Sequence, residues 1–147
     1  MSNKSCFFIG NKHTPNTIKE QLVNIVEKHI VEYGVTTFTV GNYGNFDKIA
    51  QGVLREVKEW HPNISLYLLA PYALNQKVDI LKGFDGTFYP DGLEKVPFRL
   101  AIVQANRYMV EHNDYLISYC HYIGNTRKIV EYAQKREKRG LIKVTLL

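Results

Sequence analysis

Short apolar runs alternate with stretches whose apolar residues recur every three or four positions, and this alternation constrains the fold of the chain more than any other feature. "SCFFI" (5–9) is a continuous apolar run, as a strand covered on both faces requires. A helical pattern follows, with Ile18, Leu22, Ile25, Val26, His29 or Ile30 and Tyr33 on one face, and Gly34 stops it. "TTFTV" (36–40) is rich in β-branched residues and predicts the second strand. Phe46, Ile49, Val53, Val57 and Trp60 then mark a second helix, ended by "HPN". "SLYLLA" (65–70) and "TFYP" (87–90) are further strands, separated by "PYALNQKVDILKGFDG", which has no clean period. The chain closes with a helix over "FRLAIVQANRYMVEHN", a strand over "DYLISYC", a helix over "NTRKIVEYAQKREKR" and a last strand in "LIKVTLL".

Such an order predicts a mostly parallel sheet with helices on both faces. At 147 residues, with no linker, repeat or low-complexity tract, the chain is expected to be one domain spanning 1–147. No stretch approaches the roughly 20 apolar residues of a membrane span. The apolar start "MSNKSCFFIG" is too short for a signal peptide and lacks a cleavage site, so a cytoplasmic protein without a membrane partner is expected. Cys6 and Cys120 have no metal-ligand spacing and are expected to be free, buried thiols.

The net charge of +5 is concentrated in "RKIVEYAQKREKRGLIK". Basic residues there complement the negative end of a helix dipole and form a solvated face. The alternative, a nucleic-acid or protein adaptor acting through this last helix, lacks a helix-turn-helix, zinc knuckle or aromatic RNA-binding motif. Nucleic acid is therefore the less favoured partner. A phosphorylated small molecule suits the same charge.

Ligands of open α/β sheets sit beyond the carboxyl ends of the strands, which directs attention to three glycine-containing turns. In "IGNKHTPN" (9–16), Gly10 permits close backbone approach, and Lys12 or His13 offers a donor. Thr14, Asn16 or Thr17 could cap the following helix. An ordinary tight turn with Lys12 and His13 in water is equally compatible. "VGNYGNFDKIA" (40–50) places Gly41 and Gly44 three residues apart without a full dinucleotide fingerprint. Asn45 is expected as a helix N-cap, and Asp47 lies in the first helical turn, where it serves the helix dipole or meets sugar hydroxyls. In the third turn, Gly124, Asn125 and Thr126 open a helix whose free amides could cradle a phosphate, with Arg107 of the preceding helix converging on it or simply pairing with Glu111.

No catalytic set emerges from spacing. The chain has no nucleophile elbow, no metal-binding histidine motif and no phosphate loop ending in Gly-Lys-Ser/Thr, so no metal or cofactor is expected. His29, His61 and His112 fall on or at the ends of helices as structural or solvated residues, which leaves His13 and His121 at strand ends.

The stretches "CFFIGNKHTP", "GNYGNFDKIA", "FDGTFYP", "VPFRLAIVQANRYMVEHNDYLISY" and "GNTRKIVEYAQK", in that order, resemble the SLOG superfamily, most closely its small YpsA-like members of Firmicutes and their phages. The resemblance covers nearly the whole chain. It implies a Rossmann-like three-layer sandwich that binds a nucleotide-derived ligand, ADP-ribose-like or a related signal nucleotide, as a sensor or sequestering protein. Candidate contacts carried over by position are Gly10, Gly41, Gly44, Phe46, Asp47, Arg107, Gly124 and Thr126, with Asn11, Lys12 and Asn125 beside them. It also implies a homodimer or higher homo-oligomer. Some relatives are phosphoribohydrolases, which makes a nucleotide N-glycoside hydrolase the alternative. There the resemblance puts an acidic residue two positions after the threonine, where this chain has Lys128. The first turn also departs, with Asn11-Lys12 where close relatives often have His-Arg. Asp47 and Glu131 remain as candidate catalytic carboxylates, although Glu131 lies nearly a turn deeper in the helix than Lys128.

Overall fold

The computed structural model describes residues 3–70 and 82–147. Most of the aperiodic stretch expected between the third and fourth strands, residues 71–81, lies outside the described residues. Among the described residues six strands form one sheet: β1 (Lys4–Gly10), β2 (Val35–Val40), β3 (Ser65–Leu69), β4 (Gly86–Phe88), β5 (Tyr115–Tyr119) and β6 (Lys143–Leu146). Their spatial order is β4-β3-β2-β1-β5-β6, and every pairing is parallel. The described residues also form four α-helices: α1 (Lys19–Val31), α2 (Asn45–Trp60), α3 (Phe98–His112) and α4 (Asn125–Glu137). The result is a Rossmann-like three-layer α/β fold.

Alternation along β1 divides the core. Cys6 and Phe8 pack with Leu22 and Val26 of α1 and with Phe46, Val53 and Val57 of α2. Phe7 and Ile9 face the other layer, against Ala105 and Met109 of α3 and Ile129 and Val130 of α4. Each large apolar side chain fully buried this way contributes about 1.5–3 kcal/mol. Trp60 was expected on the apolar stripe of α2, but it is the last residue of that helix and is exposed.

The chain steps outward from β1 to β4 and then returns to place β5 against the other side of β1. The reversal sets a switch point at the carboxyl end of β1, flanked by the turns after β1, β2 and β5. Both cysteines are free, Cys6 buried and Cys120 only half-buried. No helix among the described residues is long and apolar enough to cross a membrane.

Candidate functional site

A cleft of about 180 Å³ opens at this switch point. Its lining includes Gly10 and Lys12 from the first turn, Gly41, Gly44 and Asp47 from the second, and Asn125 and Thr126 from the third. The three glycine turns therefore meet in one place.

The first two turns are locked together. A β-carbon on Gly10 would lie 2.2 Å from Cγ of Phe46, so only glycine lets the α2 start seat its aromatic ring beneath the end of β1. Phe46 is fully buried there and does not line the cleft. Gly44 rests on the backbone of Lys12, where an added β-carbon would sit 2.7 Å from Cα. This contact corrects the expected cap: Gly44, not Asn45, is the N-cap of α2, and it offers no side-chain hydrogen bond. Asn45 is instead the first helical residue. Its side-chain amide donates to the Thr14 carbonyl and to Asn16 Oδ1, and its backbone amide donates to the Lys12 carbonyl at 3.0 Å. The caps expected from Thr14, Asn16 and Thr17 are likewise absent, because Pro15 occupies the cap of a short 3-10 turn (Asn16–Ile18) and Thr14 Oγ1 donates to the Asn11 carbonyl.

Asn11 clasps the first turn to the third. Its amide donates to the Tyr119 carbonyl at 3.0 Å and its Oδ1 accepts the His121 amide at 2.7 Å. Its backbone amide and Oδ1 are thereby spent within the protein, and Asn11 is not part of the cleft lining. Of the two histidines at strand ends, His121 donates from Nε2 to the Leu147 carbonyl, and His13 is exposed.

Asp47 is the buried acid of the site, 7 % exposed, and its Oδ2 accepts the Tyr43 amide at 2.9 Å. Burial raises its pKa to about 6, with the Tyr43 hydrogen bond opposing the shift. Gln51 braces the same turn by donating to the Gly41 carbonyl at 2.8 Å. Across the cleft, α4 starts after Gly124, and Thr126 Oγ1 donates to the Gly10 carbonyl at 3.3 Å. The first amides of α2 and α4 have no intrahelical acceptor, so both helices present positive ends here. No acid sits in the first turn of α4, whereas Asp47 sits in that of α2.

Two expected side chains lie elsewhere. Arg107 stacks its guanidinium 4.6 Å from the Tyr132 ring and lines a separate cavity with Asp91 and Glu111. One residue of helix turns the side chain by about 100°, so its neighbour Asn106 faces the cleft instead, one turn from Ile102. Glu131 is exposed and lines another small cavity with Cys120 and Arg127. Asp47 is thus the only carboxylate among the described residues that lines the cleft. No group of His, Cys, Asp and Glu among the described residues is arranged to hold a metal ion.

Fold and cleft together define an open parallel α/β domain with a pocket at its strand-order reversal. No protein-family model matches the chain, and no curated protein matches it.

Proposed function

We propose that the cleft binds a nucleotide-derived ligand, ADP-ribose-like or a related signal nucleotide, and holds it without cutting it, so that the protein acts as a sensor or sequestering domain. The observation that carries this reading is the unequal pair of helix starts. The acid-free start of α4 suits a phosphate, with Lys12 across the cleft and with Thr126, whose hydroxyl proton turns from the Gly10 carbonyl at 3.3 Å to the ligand. Asp47, at the start of α2, repels phosphate but accepts hydroxyl donors, and Tyr43 occupies only one of its carboxylate oxygens. A phosphorylated sugar matches both demands. At about 180 Å³ the cleft is smaller than the roughly 300–1,000 Å³ of pockets for drug-sized ligands, which leaves the base outside it.

The alternative is a nucleotide N-glycoside hydrolase. Cleavage through an oxocarbenium-like state draws on carboxylates at the sugar and at the attacking water. A single cleft carboxylate among the described residues supports holding over cutting. Titration calorimetry with ADP-ribose, AMP and ribose 5-phosphate, followed by chromatography of the recovered ligand, tests the proposal. The expected result is saturable micromolar binding with the ligand returned intact. Thr126→Val and Lys12→Ala should each weaken it about tenfold, the scale of one hydrogen bond to a charged group. Absence of saturable binding across the panel rejects the reading, and catalytic turnover abolished in Asp47→Asn replaces it with the hydrolase.

A further inference from the structure

The opposite end of α3 borders a second, larger cavity. Because β1 to β4 advance in one direction, right-handed crossovers put α1 and α2 on one face, and of the described helices only α3 and α4 cover the other. Beyond α3, that second face of β2, β3 and β4 forms the floor of a groove of about 320 Å³. Thr37, Thr39 and Tyr67 supply the floor, while Tyr108, His112 and Asn113 of α3 and the residue after it supply one wall.

Two features separate this groove from a mere gap in packing. Thr39 and Asn113 are only 5 % and 8 % exposed, yet each brings to the groove a polar atom that no protein group among the described residues engages. Asn113 donates its side-chain amide to the Met109 carbonyl at 2.8 Å, which leaves Oδ1 as a spare acceptor. Thr39 Oγ1 is a spare donor and acceptor. Both atoms can hydrogen-bond a ligand that enters the groove. The second feature is aromatic. Tyr108 and His112 stack at 3.8 Å, Phe88 lies 5.8 Å from Tyr108, and Tyr67 faces them from the sheet. His112 donates from Nδ1 to the Tyr108 carbonyl, which holds the ring in place.

Among the described residues no Lys, Arg, Asp or Glu lines the groove, in contrast to the cleft with Lys12 and Asp47. An anion has no counter-charge here, and an aliphatic ligand would leave the hydroxyls and the Asn113 amide oxygen unpaired. We propose that the groove is a second ligand site, independent of the cleft, for an uncharged heteroaromatic ring with hydrogen-bond donors and acceptors on its edge, of the purine-base class. The aromatic side chains take the ring faces and edges, and Thr39 and Asn113 read its polar rim.

Adenine, neutral at pH 7.5, is the probe, and two-dimensional amide NMR is the measurement. Saturable shifts are expected at Thr39, Tyr67, Tyr108 and Asn113. The near-isosteric Thr39→Val should weaken binding about fivefold, the effect of one neutral hydrogen bond, with Thr37→Val as a second floor variant whose side chain is less buried. Lys12→Ala in the cleft should leave the shifts unchanged. The proposal is overturned by an absence of shifts at these residues in millimolar adenine, or by shifts confined to the cleft. It is also overturned if both floor variants, with spectra otherwise native, bind adenine as the wild type does. Equal or tighter binding of glucose at the same residues would overturn the heteroaromatic assignment.

Discussion

The two helix starts that face the cleft are built in opposite ways. The start of α2 is braced on every side: Phe46 under Gly10, Asn45 bonded to Thr14 and Asn16, Asp47 holding the Tyr43 amide, and Gln51 holding Gly41. The start of α4 is open. His121, Tyr122, Gly124 and Asn125 are exposed, Ile123 is 90 % exposed, and Thr126 makes one bond of 3.3 Å to Gly10. One start has its negative charge built in and the other leaves its positive end unanswered. The contrast makes the start of α2 the rigid one, and the proposed function gives hydroxyl recognition to α2 and anion capture to α4.

Gly10→Ala strikes the braced side hardest. Its methyl would overlap Phe46, at a cost of about 3 kcal/mol or more, and thermal unfolding should show a Tm drop on the order of 10 °C. A near-native Tm would mean that the first two turns are not locked together.

Asp47→Asn comes next, through pH. The folded-state pKa is raised, so below pH 3.8 both states are protonated and the contribution to stability is fully present. As pH rises through about 6 it is lost, because the unfolded chain releases its proton first. The loss approaches about 3 kcal/mol at neutral pH. Urea unfolding of the wild type at pH 4.5 and 7.5 should therefore show a decline that the Asn variant lacks. Parallel pH dependences in the two proteins would show that Asp47 is not the titrating group.

Gly124→Ala probes the open side with the smallest expected effect. An added β-carbon meets nothing within 4 Å, and only the backbone, at φ +156°, resists the change. A loss of about 1–2 kcal/mol is expected in the same urea titration. A loss as large as that of Gly10→Ala would erase the difference between the two starts.

Much of the fold was legible because burial on both faces of β1 demands an unbroken apolar run, and "SCFFI" supplies one. The convergence of three turns followed from the rule about strand ends, and Gly10, Lys12, Gly41, Gly44, Asp47, Asn125 and Thr126 do line one cleft. The misses have two origins, contacts between turns distant in sequence and the angular position of a residue on its helix. Asn45 has the composition of a cap, but the approach of Lys12 to Gly44 decides the cap and frees Asn45 to bridge. Arg107 has the right charge at the wrong helical angle. The spacing of Ile102, Asn106, Met109 and Asn113 would have located the inward stripe of α3 and the polar residue within it.

The clasp made by Asn11 also has a consequence in time. Its partner His121 is 110 positions away along the chain, and Thr126 reaches Gly10 across 116. Closing such separations is slow, because chain entropy is lost before the distant contacts can compensate for it. A folding chain is therefore expected to complete the braced α2 side first, while the anion seat proposed at α4 waits for β5 to dock beside β1. The proposed capacity to bind would then be among the last properties the domain acquires, and a refolding experiment monitored by ligand should lag behind one monitored by helix content.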